Sequence, residues 1–195
     1  MRNFIFILGA LFFATLILAA SVVRTTAKTN TNFKLTAGTP SPTLAPTPTN
    51  VDYYLPYPGI LPDHFLYPLK MVRDRILLFL TTDPVKKAEV LLLFADKRLG
   101  ASRALIEGGK TELGIATLTK AEKYLEQAVN QAVEADKQKK ETENLVEKLT
   151  TAALKHLGVQ DQILEKLSGD AKSVVEKTKE ITSQSYQTIK ALEEK

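Results

Sequence analysis

The two histidines of the chain, His64 and His156, are by type the residues best suited to hold a metal or to move a proton. A tetrahedral zinc site needs two or three further nitrogen, sulfur or carboxylate ligands, and the chain has no cysteine. His156 falls on an apolar helical stripe, which favours a packed, hydrogen-bonded histidine. His64 follows Asp63 in a proline-rich segment and is expected to make a local turn contact. We therefore predict no metal site and no cofactor.

The segment 104–111, with the sequence ALIEGGKT, ends like a phosphate-binding P-loop. In that motif backbone amides and a lysine hold the phosphates. Here Ala104 stands where the first glycine belongs, and a helix instead of a strand is predicted before it. A helix that ends at Gly108 and Gly109, followed by a helix that starts near Thr111, explains the same residues. We predict no nucleotide binding.

Hydrolytic chemistry needs two carboxylates in different environments, or a nucleophile with a base. Asp74 and Asp83 lie near the first predicted helix boundary, and Arg98 interrupts an apolar helical row. Such charges usually form surface ion pairs, worth about 0–1 kcal/mol each. We expect Arg98 to be half-buried against a carboxylate such as Asp74, and structural pairing is favoured over a site. No catalytic residue is predicted.

The composition excludes further classes of function. A hydrophobic fraction of 44% in 195 residues is enough for one packed domain. The absence of cysteine rules out disulfides, thiol catalysis and a lipidated cysteine. The net charge of +4 comes from the N-terminal segment, since removing its four cations from the 26 Lys and Arg leaves 22, equal to the 22 Asp and Glu. These four are Arg2, Arg24, Lys28 and Lys34. The rest of the chain is neutral, so nucleic-acid binding is not expected.

An uncharged apolar run extends from Phe4 to Val23. It is long enough to cross the roughly 30 Å hydrocarbon core of a bilayer, whereas the apolar part of a signal peptide is usually shorter. We assign residues 1–24 to a signal anchor that contacts the membrane, or to a signal peptide cleaved near Ser21. Arg2 holds the short end inside. The expected localisation is the cytoplasmic membrane, single-pass with the C-terminal domain outside, or secretion if the segment is cleaved.

Residues 25–50 form a Thr/Pro-rich stretch that predicts an extended, semi-rigid linker outside the cytoplasm. The segment that follows, 51–65, combines prolines with aromatic residues, and we call it the opener. We expect the opener to lie across the helical domain with its aromatic side chains covering apolar surface. The candidate partner-binding residues are Tyr54, Tyr57, His64 and Arg98.

The rest of the chain predicts an all-α fold, an antiparallel helical hairpin or bundle. The first helix runs from Pro68 to about Leu80, with an apolar stripe of Leu69, Val72, Ile76 and Leu80. Asp83 and Pro84 mark the start of a second helix. A third helix near Thr111 carries a seam of small and apolar residues that indicates close, coiled-coil-like contact with the second. The seam comprises Gly114, Leu118, Ala121, Leu125, Ala128, Ala132 and Ala135.

We interpret residues from Thr111 to Leu157 as one long helix, whose polar middle at Lys137 to Glu143 projects beyond the second helix. Gly158 is expected to break it, so that the helical domain spans 51–157. Residues 158–195 then hold a short helix, 159–167, and a packing helix capped by Asp170.

Several short motifs resemble a known family. They are LPYPGILPD at 55–63, YPLK at 67–70, Asp83 with Pro84, and FADKRL at 94–99. From about Leu55 to Ala135 the chain is similar to a bacterial domain of unknown function, family number 5667. The resemblance implies an exported or membrane-tethered helical protein. It implies no activity.

Two hypotheses follow for the function. The first is a non-enzymatic, extracytoplasmic interaction module, tethered to the membrane, that binds a protein or envelope polymer as a scaffold or a chaperone-like factor. The alternative is an envelope hydrolase with a site between the opener and the first two helices. That alternative requires a concave pocket with two acids, or with His64 and one acid.

Overall fold

The computed structural model describes residues 52–194, and within this range the fold is all-helical, with five helices and no strand. The predictions for Phe4 to Val23 and for residues 25–50 lie outside the described range. None of the helices in that range is both long and apolar enough to traverse a bilayer.

The first two helices begin where proline and aspartate predict. Helix α1 spans Tyr67–Leu80 with a proline in its first turn, and α2 spans Pro84–Glu107. The side chain of Asp83 accepts a hydrogen bond from the backbone N–H of Lys86 at 3.0 Å, which satisfies one of the free amides at the start of α2.

Helix α3 spans Thr111–Lys137 and follows α2 after a three-residue turn. Gly109 in this turn has a φ of +79°, the left-handed conformation that glycine adopts without strain. Because the turn is short, α2 and α3 are antiparallel neighbours. Every residue of the predicted α3 seam is buried, so the prediction of close α2–α3 contact is confirmed. The P-loop-like segment is a helix end, a turn and a helix start, and Lys110 forms an ion pair with Asp63.

The predicted long helix from Thr111 to Leu157 is wrong. Helix α3 ends at Lys137, and α4 begins at Glu143 after a turn at 138–142. Lys139 adopts a φ of +55° in this turn, and Lys140 forms an ion pair with Asp83. The physical reason is burial: a projecting helix would leave Leu145 and Leu149 in water, whereas the folded-back helix packs both into the core.

The predicted break at Gly158 is also wrong, because α4 runs from Glu143 to Leu164 and includes this glycine. The separate short helix at 159–167 therefore does not exist, and no helix boundary falls between 157 and 158. Helix α5 spans Gly169–Glu193, with Asp170 in its first turn and not at its cap.

Helices α2 to α5 form a four-helix bundle, while α1 packs only against α2 among the helices. The buried apolar residues form two clusters. One cluster includes Ala95, Leu125, Ala153 and Ile189, and the other includes Leu99, Ala121, Val159 and Val175. On each of the four helices, the positions between the two clusters carry buried polar residues. A polar layer thus divides the core.

Helix α5 contributes more polar than apolar residues to the buried interior. Its buried residues are Val175, Thr178, Thr182, Ser185 and Ile189. Val174, next to the buried Val175, is 44% exposed. The last helix is therefore packed through a mixed face.

Candidate functional site

His156 lies at the centre of the polar layer and is completely buried. Its Nδ1 lies 3.0 Å from both carboxylate oxygens of Glu122 on α3. Its Nε2 lies 3.0 Å from Oδ1 of Asp96 on α2. Both ring nitrogens therefore face a carboxylate, and the imidazolium form donates to both. The expectation of a packed, hydrogen-bonded histidine is confirmed.

The layer continues on both sides of this triad. Thr182 on α5 donates to Glu122 at 2.9 Å, and Gln160 donates to Thr182 at 2.7 Å. On the other side, the Tyr53 hydroxyl in the opener donates to Oδ2 of Asp96 at 2.6 Å. The network therefore joins the opener to all four helices of the bundle.

The charges in the layer set the protonation of its members. Burial alone lowers the pKa of His156, but the neighbouring Glu122 and Asp96 outweigh it and raise that pKa to about 10. Burial and the Asp96 carboxylate raise the pKa of the Tyr53 hydroxyl. At neutral pH the triad therefore holds an imidazolium between two carboxylates.

Sequence reasoning identified His156 but missed its two carboxylate partners. Asp96 directly follows the buried Ala95, and Glu122 directly follows the seam residue Ala121, so an acid beside an apolar seam is the available sign. The triad carries three potential proton carriers, yet its members are 0 to 3% exposed, so a substrate has no access to them. Among the described residues no group of three or more His, Cys, Asp or Glu is arranged to hold a metal ion.

Arg98 is buried in a second polar contact, between α1 and α2, with 4% of its surface exposed. Its guanidinium lies 3.8 Å from Oδ2 of Asp74 and 4.2 Å from the ring centroid of Tyr124. Nη1 donates to the carbonyl of Phe94 at 3.3 Å. The predicted pairing with Asp74 is present, and burial is deeper than expected. Arg98 holds α1 onto the bundle and is not accessible to a partner.

The opener crosses α2 and is held there by a few contacts. Pro58 lies over Gly100, where an added Cβ would meet the proline ring at 3.8 Å. Lys70 donates from Nζ to the carbonyls of Pro58 and Ile60, at 2.7 and 3.1 Å. Burial lowers the pKa of Lys70. Of the opener aromatics, Tyr53 packs against the core, whereas Phe65 is exposed. The opener lies across the domain as expected. Most of its aromatic side chains, however, are exposed and do not cover apolar surface.

The apolar stripe predicted for the first helix faces solvent. We call this surface the α1 face. It consists of Phe65, Leu69, Val72, Ile76, Phe79 and Leu80, each between 53 and 83% exposed. The single buried residue of α1 is Asp74. An apolar stripe is expected to face the core, but for this helix that expectation is wrong. The side of α1 that carries Asp74 packs against Arg98 of α2, so the stripe faces away.

A groove of about 660 Å³ lies between the α1 face and the opener. Its apolar lining includes Tyr57, Ile60 and Leu69. Its charged lining is cationic, from Lys70, Arg73 and Lys97, and neither an acid nor a histidine lines it. The groove therefore lacks the two acids, or His64 with one acid, that the hydrolase hypothesis requires.

The structure disperses the four candidate partner-binding residues. Tyr54 and Tyr57 are 90% and 82% exposed, and Tyr57 lines the groove. His64 is exposed and makes the expected local contact, in which its Nδ1 accepts from the backbone N–H of Leu66 at 3.1 Å. Arg98 is buried. Tyr57 alone of the four lies in the groove.

The comparisons with known proteins give one finding. The profile of a domain of unknown function (DUF5667) matches residues 59–195. This match extends beyond Ala135, where the resemblance recognised from the motifs ended, and takes in α4 and α5. No curated protein matches the chain, and no solved structure matches it. With more than half of its length matched, the chain belongs to the DUF5667 family.

Proposed function

We propose that the protein is a non-enzymatic interaction module whose binding surface is the α1 face with the adjoining groove. The observation that carries the proposal is the exposure of six large apolar side chains, five on one side of α1 and one, Phe65, just before the helix. Contiguous apolar patches of this kind mark interaction sites in soluble domains. The buried polar layer, in contrast, supports a structural role for His156 and its carboxylates.

The proposal places the module outside the cytoplasmic membrane, anchored through Phe4 to Val23, with residues 25–50 as the tether. The apolar run and the Thr/Pro-rich composition support this placement. A tether of 26 residues lets the domain reach partners near the membrane. A scaffold or chaperone-like role in the cell envelope fits such a tethered surface.

The test is photocrosslinking of the full-length chain in its host cells. A photoreactive residue at Tyr57 reports on the groove, and one at Lys123, exposed on α3, serves as the matched control. We expect a recurring crosslinked species from position 57 and none from position 123. The crosslink should also be lost when Val72→Ser and Ile76→Ser are introduced together.

The double serine variant tests binding without disturbing the fold, because both side chains are more than half exposed. Its melting temperature should match that of the parent. Crosslinks confined to the chain itself, or equal capture from positions 57 and 123, would show that the α1 face binds nothing and would refute the proposed function.

A further inference from the structure

The free surface of α1 is long and attached from one side only. The helix has 14 residues and packs against α2 alone among the helices. At 1.5 Å per residue its free side is about 21 Å long. Phe65 extends the same apolar surface beyond the start of the helix, and Tyr57 stands beside it in the opener. The result is a continuous apolar strip along one edge of the domain.

Cations lie on and beside this strip. At 100° per residue, Arg73 lies between Leu80 and the exposed Leu77 on one side of the helix, and Arg75 lies on the other side next to Phe79. Both arginines are exposed. Lys97 of α2 faces the same groove. Among the described residues, neither Arg75 nor Lys97 pairs with an acid.

No exposed acid balances these cations on α1. The helix contains one acidic residue, Asp74, whose side chain is 2% exposed and lies against Arg73 and Arg98. In the opener, Asp63 is paired with Lys110, which lies just before the start of α3. The exposed edge of the domain therefore combines an apolar strip with a positive rim.

We propose that the occupant of the α1 face is an anionic phospholipid surface, with α1 lying in the plane of the membrane. This inference rests on the proposed function and names its partner. An apolar helix face bordered by Lys and Arg is the pattern of helices that bury their apolar side at the boundary of headgroups and acyl chains. A lipid surface supplies both required chemistries along the whole strip, acyl chains for the apolar residues and phosphates for the rim.

Other occupants fit the rim less well. A second copy of the chain would bring Arg73 and Arg75 against the same cations of its partner, and like charges in contact oppose association. A protein partner would have to place acids on both sides of an apolar strip about 21 Å long. The charge pattern therefore favours the lipid surface.

The absence of cysteine makes a direct test possible. A single spin label is placed at Ile76→Cys in the full-length chain, and the matched control carries it at Lys123→Cys on the exposed side of α3. Each protein is reconstituted in phosphatidylcholine vesicles with or without phosphatidylglycerol. Collision of the label with dissolved oxygen and with a water-soluble nickel chelate reports its depth.

We expect the label at position 76 to become severalfold less accessible to the nickel chelate in vesicles with phosphatidylglycerol, while the label at 123 stays accessible in both. Replacing Arg75→Gln and Lys97→Gln together should remove most of this difference, since neither side chain has an ion pair to lose. A label at 76 that stays in water with both lipids would overturn the proposal.

The two proposals fail in distinguishable ways. The accessibility of the label at 76 could be unchanged by lipid but reduced by a protein that crosslinks from position 57. In that case the membrane inference is wrong and the proposal of an interaction module is supported. If neither lipid nor a crosslinked partner shields the label, both proposals fall. Shielding at both 76 and 123 would indicate non-specific adsorption of the domain and would also overturn the inference.

Discussion

At the scale of single residues, His156 shows how a buried charge is held. The imidazolium lies between Glu122 and Asp96. Thr182 also donates to Glu122, and the Tyr53 hydroxyl also donates to Asp96. A buried ion pair offsets its desolvation only when its remaining hydrogen-bonding groups are satisfied. The triad meets that condition. It holds two carboxylates and one imidazolium, so loss of the imidazolium would leave two uncompensated negative charges in the core.

The raised pKa of His156 predicts a pH dependence of stability. The unfolded histidine releases its proton near pH 6.5, whereas the folded one keeps it up to about pH 10. The contribution of the triad is therefore complete below pH 6.5 and declines as the pH rises towards 10. Between pH 7.5 and 9 the free energy of unfolding should fall by about 1.4 kcal/mol per pH unit. Urea unfolding at several pH values measures it.

A variant separates this effect from the titration of other groups. Glu122→Gln removes one of the two charges that raise the pKa of His156 while keeping an oxygen that accepts from Thr182. In this variant the decline should end at a lower pH than in the parent. Equal stability of the parent at pH 7.5 and pH 9 would contradict the assignment of a protonated His156.

At the scale of the helices, two glycines inside helices have opposite roles. Gly114 on α3 faces α2 so closely that an added Cβ would lie 2.5 Å from Cγ1 of Ile106 and 3.1 Å from the carbonyl of Ser102. Gly158 lies within α4 with nothing within 4 Å of an added Cβ. The first glycine is required by the contact of two helices. The second is not required by any contact.

This difference predicts opposite effects of the same substitution. Gly158→Ala should stabilise the protein by about 0.5–1 kcal/mol, because alanine restricts the unfolded chain and fits a helix. Gly114→Ala should destabilise it, because overpacking costs about 1–3 kcal/mol and the obstacle includes backbone. Urea unfolding of both variants measures the difference. Destabilisation by Gly158→Ala would show that α4 is strained or broken at this position.

The sequence predicts helices well where local chemistry marks their ends. The start of α2 is marked by Asp83 with Pro84, and the turn between α2 and α3 is marked by Gly108 with Gly109. The turn at 138–142 has no proline or glycine, and Lys139 adopts the left-handed conformation instead. The turn is a consequence of α4 packing against the bundle, which is a tertiary effect. Local sequence therefore could not reveal it.

The candidate site was only partly predictable for a similar reason. Apolar periodicity identified the stripe of Leu69, Val72 and Ile76, but periodicity does not tell which side of a helix meets the core. The decision depends on Asp74, which is the side chain that α1 buries against Arg98. The predicted pairing of Asp74 with Arg98 already indicated which side of α1 faces the bundle. Because this pair is buried, the apolar stripe points away from the core and not towards it.

At the scale of the whole molecule, the buried packing contacts are unevenly distributed among the helices. Helices α2 to α5 share two apolar clusters and the polar layer, whereas α1 buries a single residue. Its attachment includes the contacts of Arg98 with Asp74 and Met71, the Lys70 hydrogen bonds to the opener and packing of Leu78 against the core. A region with few buried apolar contacts opens locally at a lower free energy than the global unfolding.

We therefore predict that α1 opens independently of the bundle. In hydrogen exchange of the full-length protein, backbone amides of Tyr67–Leu80 should exchange on the order of tenfold or more faster than the central amides of α3. Arg98→Met should accelerate exchange in α1 more than in α3, because Arg98 anchors α1 through Asp74. Lys123→Met, at an exposed position on α3, serves as the control. Equal protection of α1 and α3 would mean that α1 unfolds only with the bundle, and its exposed apolar face would then be a rigid surface of the domain.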